Sequence, residues 1–93
     1  MLYLVRMDVN IPADMPAEEL ARLQAAEREY SQSLQLDGRF KHLWRVAGEY
    51  ANYSVFEVSG NDELHELLSG LPMFRYITAH VTPLATHPNA VQR

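Results

Sequence analysis

Residues 2 to 10, LYLVRMDVN, separate into Tyr3, Val5, Met7 and Val9, which are all apolar, and the mixed set Leu2, Leu4, Arg6 and Asp8. That period of two predicts a strand lying inside a sheet with one fully apolar face. The period then changes. Leu20, Leu23, Glu27, Tyr30 and Leu34 recur at steps of three and four, which predicts an amphipathic helix from about Pro16 to Leu36. Asp14 is the candidate cap, Pro16 suits a first turn, and Asp37-Gly38 supplies a left-handed exit. Glu27 is the one charged member of the buried stripe.

The stretch from His42 to Val58, HLWRVAGEYANYSVFEV, reads as a β-hairpin, with aromatic and β-branched residues in both arms. A two-residue loop at Gly48-Glu49 pairs Ala47 with Tyr50, Arg45 with Asn52, Leu43 with Ser54 and Lys41 with Phe56 on one side. Val46/Ala51, Trp44/Tyr53 and His42/Val55 share the other. Both sides mix apolar bulk with a few polar groups, as the floor of a small-molecule pocket does. Beyond the hairpin, Leu64, Leu67, Leu68 and Leu71 predict a second, shorter helix, capped by Ser59 or Asn61 and ended by Gly70 and Pro72. Residues 74 to 82, FRYITAHVT, predict a last strand. The whole chain, 1–93, reads as a single domain with residues 83–93 as an extended tail. Strand, helix, strand, strand, helix, strand with right-handed crossovers defines an α+β, ferredoxin-like βαββαβ sandwich, an antiparallel sheet with two helices on one face. Apolar residues on both sides of the hairpin imply that a second subunit covers the other face.

Composition narrows the function. Ninety-three residues at 47% hydrophobic suffice for one core but leave about a third of the surface unburied, which favours a homo-oligomer. The absence of cysteine removes disulfides, thiol catalysis and thiolate metal sites, and fits a cytoplasmic location. Met1 to Met7 is cut by Arg6 and followed by Asp8, so neither a signal peptide nor a membrane span is expected. A net charge of −4 with scattered basic residues argues against nucleic acid as a partner. It also sets aside an RNA-recognition reading of the shared topology, because GEYANYSVF carries Glu where an RNA-binding strand wants Lys or Arg.

His42-Leu43-Trp44-Arg45, Gly48 and Tyr50-Ala51-Asn52-Tyr53-Ser54-Val55-Phe56 resemble the centre of the muconolactone Δ-isomerase family, enzymes of aromatic breakdown through the β-ketoadipate route. Met1-Leu2, Pro12-Ala13-Asp14-Met15, Glu27, Gly38, Asp62-Glu63-Leu64-His65, Leu71-Pro72, Phe74, Tyr76 and His87-Pro88 follow in the family's order, so the resemblance covers nearly the whole chain. Glu49 and Arg75 depart from the pattern, where His or Arg and Pro are usual. The resemblance implies a shift of the ring double bond of muconolactone to give 3-oxoadipate enol-lactone, by proton transfer without metal or organic cofactor, in a decamer built from dimers. A non-catalytic ligand-binding or assembly domain on the same frame is the alternative.

Such a reaction needs a base, a grip on a carboxylate and stabilisation of a dienolate oxygen. Glu27 is the first candidate base, because a carboxyl group on a core-facing stripe is desolvated and its pKa rises toward neutrality. His42 is the rival, because imidazole is the side chain whose ordinary ionisation lies near neutral pH. Arg45 is the candidate carboxylate clamp through its planar fork, against a structural ion pair with Glu27 or Glu49. Lys41 is a weaker second cation, against a surface lysine lying along apolar neighbours. Tyr50 and Ser54 are candidate donors to the oxyanion, and Asn52 and Trp44 complete the substrate floor. His65, His80 and His87 are too widely spaced for a local metal motif.

Overall fold

In the computed structural model, which describes residues 1 to 91, β1 (Leu2–Val9), α1 (Ala17–Leu36), β2 (Phe40–Arg45), β3 (Ala51–Glu57), α2 (Asn61–Ser69) and β4 (Ile77–Leu84) follow one another in the expected order. The sheet order is β2-β3-β1-β4 and every neighbouring pair is antiparallel. β1 therefore lies inside the sheet, and its apolar set explains why: Tyr3, Val5 and Met7 are buried among Leu34 of α1 and Leu64, Leu67 and Leu68 of α2. Phe40 and Phe56 meet across β2 and β3 with ring centroids 4.5 Å apart. Fully burying side chains of this size contributes about 1.5–3 kcal/mol each.

Four local features differ from the sequence expectation. The hairpin turn is centred on Ala47-Gly48, one residue earlier than Gly48-Glu49: the Glu49 N–H donates to the Val46 carbonyl at 3.1 Å, and Gly48 takes a φ of 81°. A positive φ at the third turn position is what a type II turn requires, and glycine adopts it without strain. Ala47 and Tyr50 consequently do not pair. The pairs His42/Val55, Leu43/Ser54, Trp44/Tyr53 and Arg45/Asn52 stand, but the register shifts between Phe40 and His42, so Phe40 rather than Lys41 faces Phe56. Bulging Lys41 out of the ladder lets the larger apolar ring enter the core.

The helix starts also differ. Pro16 occupies the N-cap of α1 and Gly60 that of α2, and neither Asp14 nor Ser59 nor Asn61 caps through its side chain. Glu63 instead reaches back one turn and accepts the Ser59 N–H at 2.7 Å, while the Asn61 side-chain oxygen accepts the Tyr3 hydroxyl. Finally, Phe74 to Tyr76 form a 3₁₀ turn, closed by hydrogen bonds from Phe74 to Leu71 and from Tyr76 to Met73, and β4 runs on to Leu84. The tail thus begins two residues later than expected, and its residues 92 and 93 lie outside the described residues.

α1 is anchored to α2 by one polar contact. The Tyr30 hydroxyl donates to the Leu67 carbonyl at 2.9 Å, directly over Gly70. A Cβ at Gly70 would sit 2.6 Å from that hydroxyl oxygen and 3.2 Å from the Glu66 carbonyl. Gly70→Ala is therefore expected to expel the Tyr30 hydroxyl and to destabilise the fold by about 1–2 kcal/mol, read as a lower urea midpoint. An unchanged midpoint would contradict this packing.

Candidate active site

Between α1 and the sheet lies a cavity of about 400 Å³, within the usual size range of small-molecule sites. Its floor is apolar: Met7 of β1, Phe40 of β2, and Leu71 and Met73 beyond α2 are buried. Its mouth is polar and exposed, with Gln24 and Arg28 from α1 facing Leu43 and Arg45 from β2 and Tyr50 from the turn. Glu27 and Asn52 sit at intermediate depth. The arrangement follows from periodicity, since Glu27 occupies the sheet-facing stripe while Gln24, Arg28 and Ser31 form the adjacent row at steps of four and three.

Glu27 is half-buried, and burial pushes its carboxyl pKa above the ordinary glutamate value. The one opposing influence is a hydrogen bond accepted by Oε1 from the Met73 N–H at 3.1 Å. Arg45 makes no ion pair among the described residues. Its guanidinium lies 5.2 Å from the centroid of the Tyr50 ring, and the two carboxylates that might have claimed it are engaged elsewhere, Glu27 on Met73 and Glu49 on Arg6 at 2.9 Å. Gln24 Nε2 donates to the Tyr50 hydroxyl oxygen at 3.2 Å, which ties helix to turn across the mouth and leaves the phenolic proton free to donate. Asn52 Oδ1 is buried without a hydrogen-bond partner among the described residues. An orphaned polar atom on a cavity wall costs stability, and a ligand group is one way to meet it.

The structure thus brings together Glu27, Arg45, Tyr50 and Asn52. It does not bring the other candidates to the cavity. Ser54 is fully buried and its hydroxyl donates to the Val5 carbonyl at 3.2 Å, so its proton is committed to the sheet. His42 and Trp44 alternate to the opposite sheet face, where their rings stack 5.1 Å apart. Lys41, at the bulge, is exposed and outside the cavity. Gln24, Arg28, Ser31 and Met73 were not singled out by the sequence reading. The row formed by the first three, flanking the Glu27 stripe, is the signal that could have found them. Among the described residues no group of three or more His, Cys, Asp or Glu side chains could hold a metal ion.

Fold and cavity together define a ferredoxin-like α+β protein with a desolvated carboxyl group, and guanidinium groups that have no carboxylate partner among the described residues, around a cavity of small-ligand size. Residues 1–90 match the family described as muconolactone delta-isomerase, and the chain belongs to that family. It is 59% identical over 92 residues to the muconolactone Delta-isomerase of Cupriavidus pinatubonensis, covering 99% of this chain and 100% of that protein. It is 54% identical to muconolactone Delta-isomerase 1 of Acinetobacter lwoffii, covering 99% and 96%. A crystal structure of muconolactone isomerase at 3.3 Å resolution superimposes with a TM-score of 0.95 at 44% identity, covering 100% of this chain and 97% of that one.

Because the folded-state pKa of Glu27 is raised, the native chain binds its proton more tightly than the unfolded chain does. The resulting stabilisation is complete below the ordinary glutamate pKa of about 4.3 and is lost as pH rises through the raised folded value. Glu27→Gln keeps a carbonyl oxygen for the Met73 N–H and has no charge to bury. The variant is expected to melt above the parent at pH 8 and to lose that advantage at pH 4. A variant that melts below the parent at both pH values would contradict the account.

Proposed function

We propose that the chain catalyses the isomerisation of muconolactone to 3-oxoadipate enol-lactone, with Glu27 as the only base. The observation that carries this reading is a half-buried carboxyl group on a cavity wall, with no cationic partner at hydrogen-bond distance among the described residues. In the reaction, the ring carbon bearing the carboxymethyl arm gives its proton to Glu27. The C–H bonding pair enters the conjugated lactone as a dienolate, and the same proton is returned to the carbon next to the lactone carbonyl. A raised pKa suits both halves, because the base must accept a proton from a weak carbon acid and then release it.

Arg45 is assigned the substrate carboxylate, for which its planar fork is suited and for which the lack of an ion pair among the described residues leaves it available. The Tyr50 hydroxyl and the Asn52 side-chain N–H are assigned the lactone oxygen. Preorganised donors of this kind act on charge that develops only in the transition state, each worth about 3 kcal/mol. The reading places His42, Lys41, Trp44 and Ser54 outside the chemistry. Glu27→Gln is expected to lower kcat by about 10²–10⁴-fold with the fold intact, followed by the absorbance change of lactone isomerisation. Retention of a third or more of the parental kcat would remove Glu27 from the role of base.

Self-association belongs to the same proposal. The sheet face away from the helices exposes Leu2, Trp44, Tyr53 and Leu84, and the 49 Å long axis exceeds the other two dimensions, 27 and 21 Å. A second copy of the chain is assigned to that face, with the decamer implied by the family resemblance as the closed assembly. Light scattering at micromolar concentration tests it, and a stable monomer would refute it. No helix among the described residues is long and apolar enough to cross a membrane. The cysteine-free composition supports placing the reaction in the cytoplasm.

A further inference from the structure

Two guanidinium groups share the cavity, one on each wall. Arg45 comes from β2 and Arg28 from α1, one residue beyond Glu27. Neither has a carboxylate partner among the described residues, whereas Arg6 and Arg39 are both held in ion pairs. The helix surface explains this for Arg28: the residues three and four positions away are Gln24, Ala25, Ser31 and Gln32, none of them acidic. The cavity therefore contains two fixed positive charges and one acid, Glu27.

The charge count is informative if the isomerase reading holds. Before proton transfer, the ionised Glu27 and the substrate carboxylate together balance the two arginines. Transfer breaks the C–H bond, forms an O–H bond on Glu27 and leaves the electron pair on the lactone oxygen, so the ligand becomes a dianion opposite a neutral acid. The two arginines again balance it. One guanidinium suffices for the substrate carboxylate, and the second meets negative charge on the ligand only once the dienolate exists. An interaction that strengthens in the transition state accelerates the reaction, whereas one that grips substrate and transition state equally does not.

We propose that Arg28 and Arg45 form a two-ended dianion site, with Arg28 as the catalytic residue that neutralises the dienolate, and that the cavity consequently binds open-chain dicarboxylates in preference to monocarboxylates. The inference rests on the isomerase reading for the role of Arg28, but the dianion site itself does not need turnover to be observed. Glu27 must be neutral when a dianion is bound. The charged and titratable groups that line the cavity with it are Arg28 from its own helix, Arg45 from β2 and Tyr50 from the turn, while Tyr30 lies near it on α1 and the Met73 N–H donates to it. Neutralisation of Glu27 is the one charge change that this balance requires, so binding of a dicarboxylate at neutral pH should take up a proton.

Calorimetry on the full chain at pH 7.5 and low salt, with glutarate, adipate and butyrate as probes, tests the site. The dicarboxylates are expected to bind about tenfold or more tightly than butyrate, with proton uptake visible as a dependence on buffer ionisation enthalpy. Glu27→Gln should bind them more tightly still and without proton uptake. Adding Arg28→Gln to that variant, an exposed helical position where glutamine is well tolerated, should cost the dicarboxylates about tenfold or more and leave butyrate nearly unchanged. Equal affinity for butyrate and the dicarboxylates, or an Arg28→Gln effect shared equally by both, would overturn the proposal. Dicarboxylate binding without lactone turnover would sustain the dianion site and overturn the isomerase reading. Turnover with no dicarboxylate preference would do the reverse.

Discussion

The Glu27 carboxyl group is buried deeply enough on the cavity side of α1 to raise its pKa, yet keeps one hydrogen bond, from the Met73 N–H. That balance between desolvation and a single backbone donor depends on much of the chain. The apolar set of β1 supplies the surface on which α1 rests, and the Tyr30 to Leu67 hydrogen bond fixes α1 against α2. The 3₁₀ turn at Phe74 to Tyr76 follows directly on Met73, whose N–H is aimed at Glu27. Were an arginine within hydrogen-bond distance of Glu27, its pKa would fall and the group would be a poor proton acceptor from carbon.

What keeps Arg45 out of an ion pair with Glu49 lies on the opposite side of the sheet. Arg6 holds Asp8 through two hydrogen bonds and Glu49 through a third, with its guanidinium over the Tyr53 ring at 5.4 Å. The hydrogen bond from Arg6 holds the Asp8 carboxyl below its usual range. Glu49, one of the two departures from the family pattern, is thereby drawn to the outer face, and Arg45 is left to the Tyr50 ring on the inner one. A charge cluster outside the cavity thus determines which cation remains available inside it.

The larger features of the fold were legible in the sequence because they rest on periodicity. Alternation in β1 and the three-and-four spacing of α1 placed Glu27 over the sheet, and alternation in the hairpin put Arg45 and Asn52 on the inner side. Features set by local geometry were not. The bulge at Lys41 responds to the size of Phe40, and the turn moved to Ala47-Gly48 to give glycine the positive φ. Ser54 looked available because a sequence does not show that the Val5 carbonyl lies beside its hydroxyl. Arg28 was passed over because the polar flank of an amphipathic helix looks the same whether it faces water or a cavity mouth.

The claim that a desolvated carboxyl group organises the site can be put to one spectroscopic measurement. Carbon-13 NMR of glutamate side-chain carboxyl groups, with the Glu27 signal identified by its absence in Glu27→Gln, gives its titration midpoint in the native protein without substrate. The account predicts a midpoint above the ordinary glutamate value, shifted further up when the Arg45 and Arg28 charges are removed together. A midpoint at or below the ordinary value would show that Glu27 is a solvated or ion-paired carboxylate, and would contradict the account.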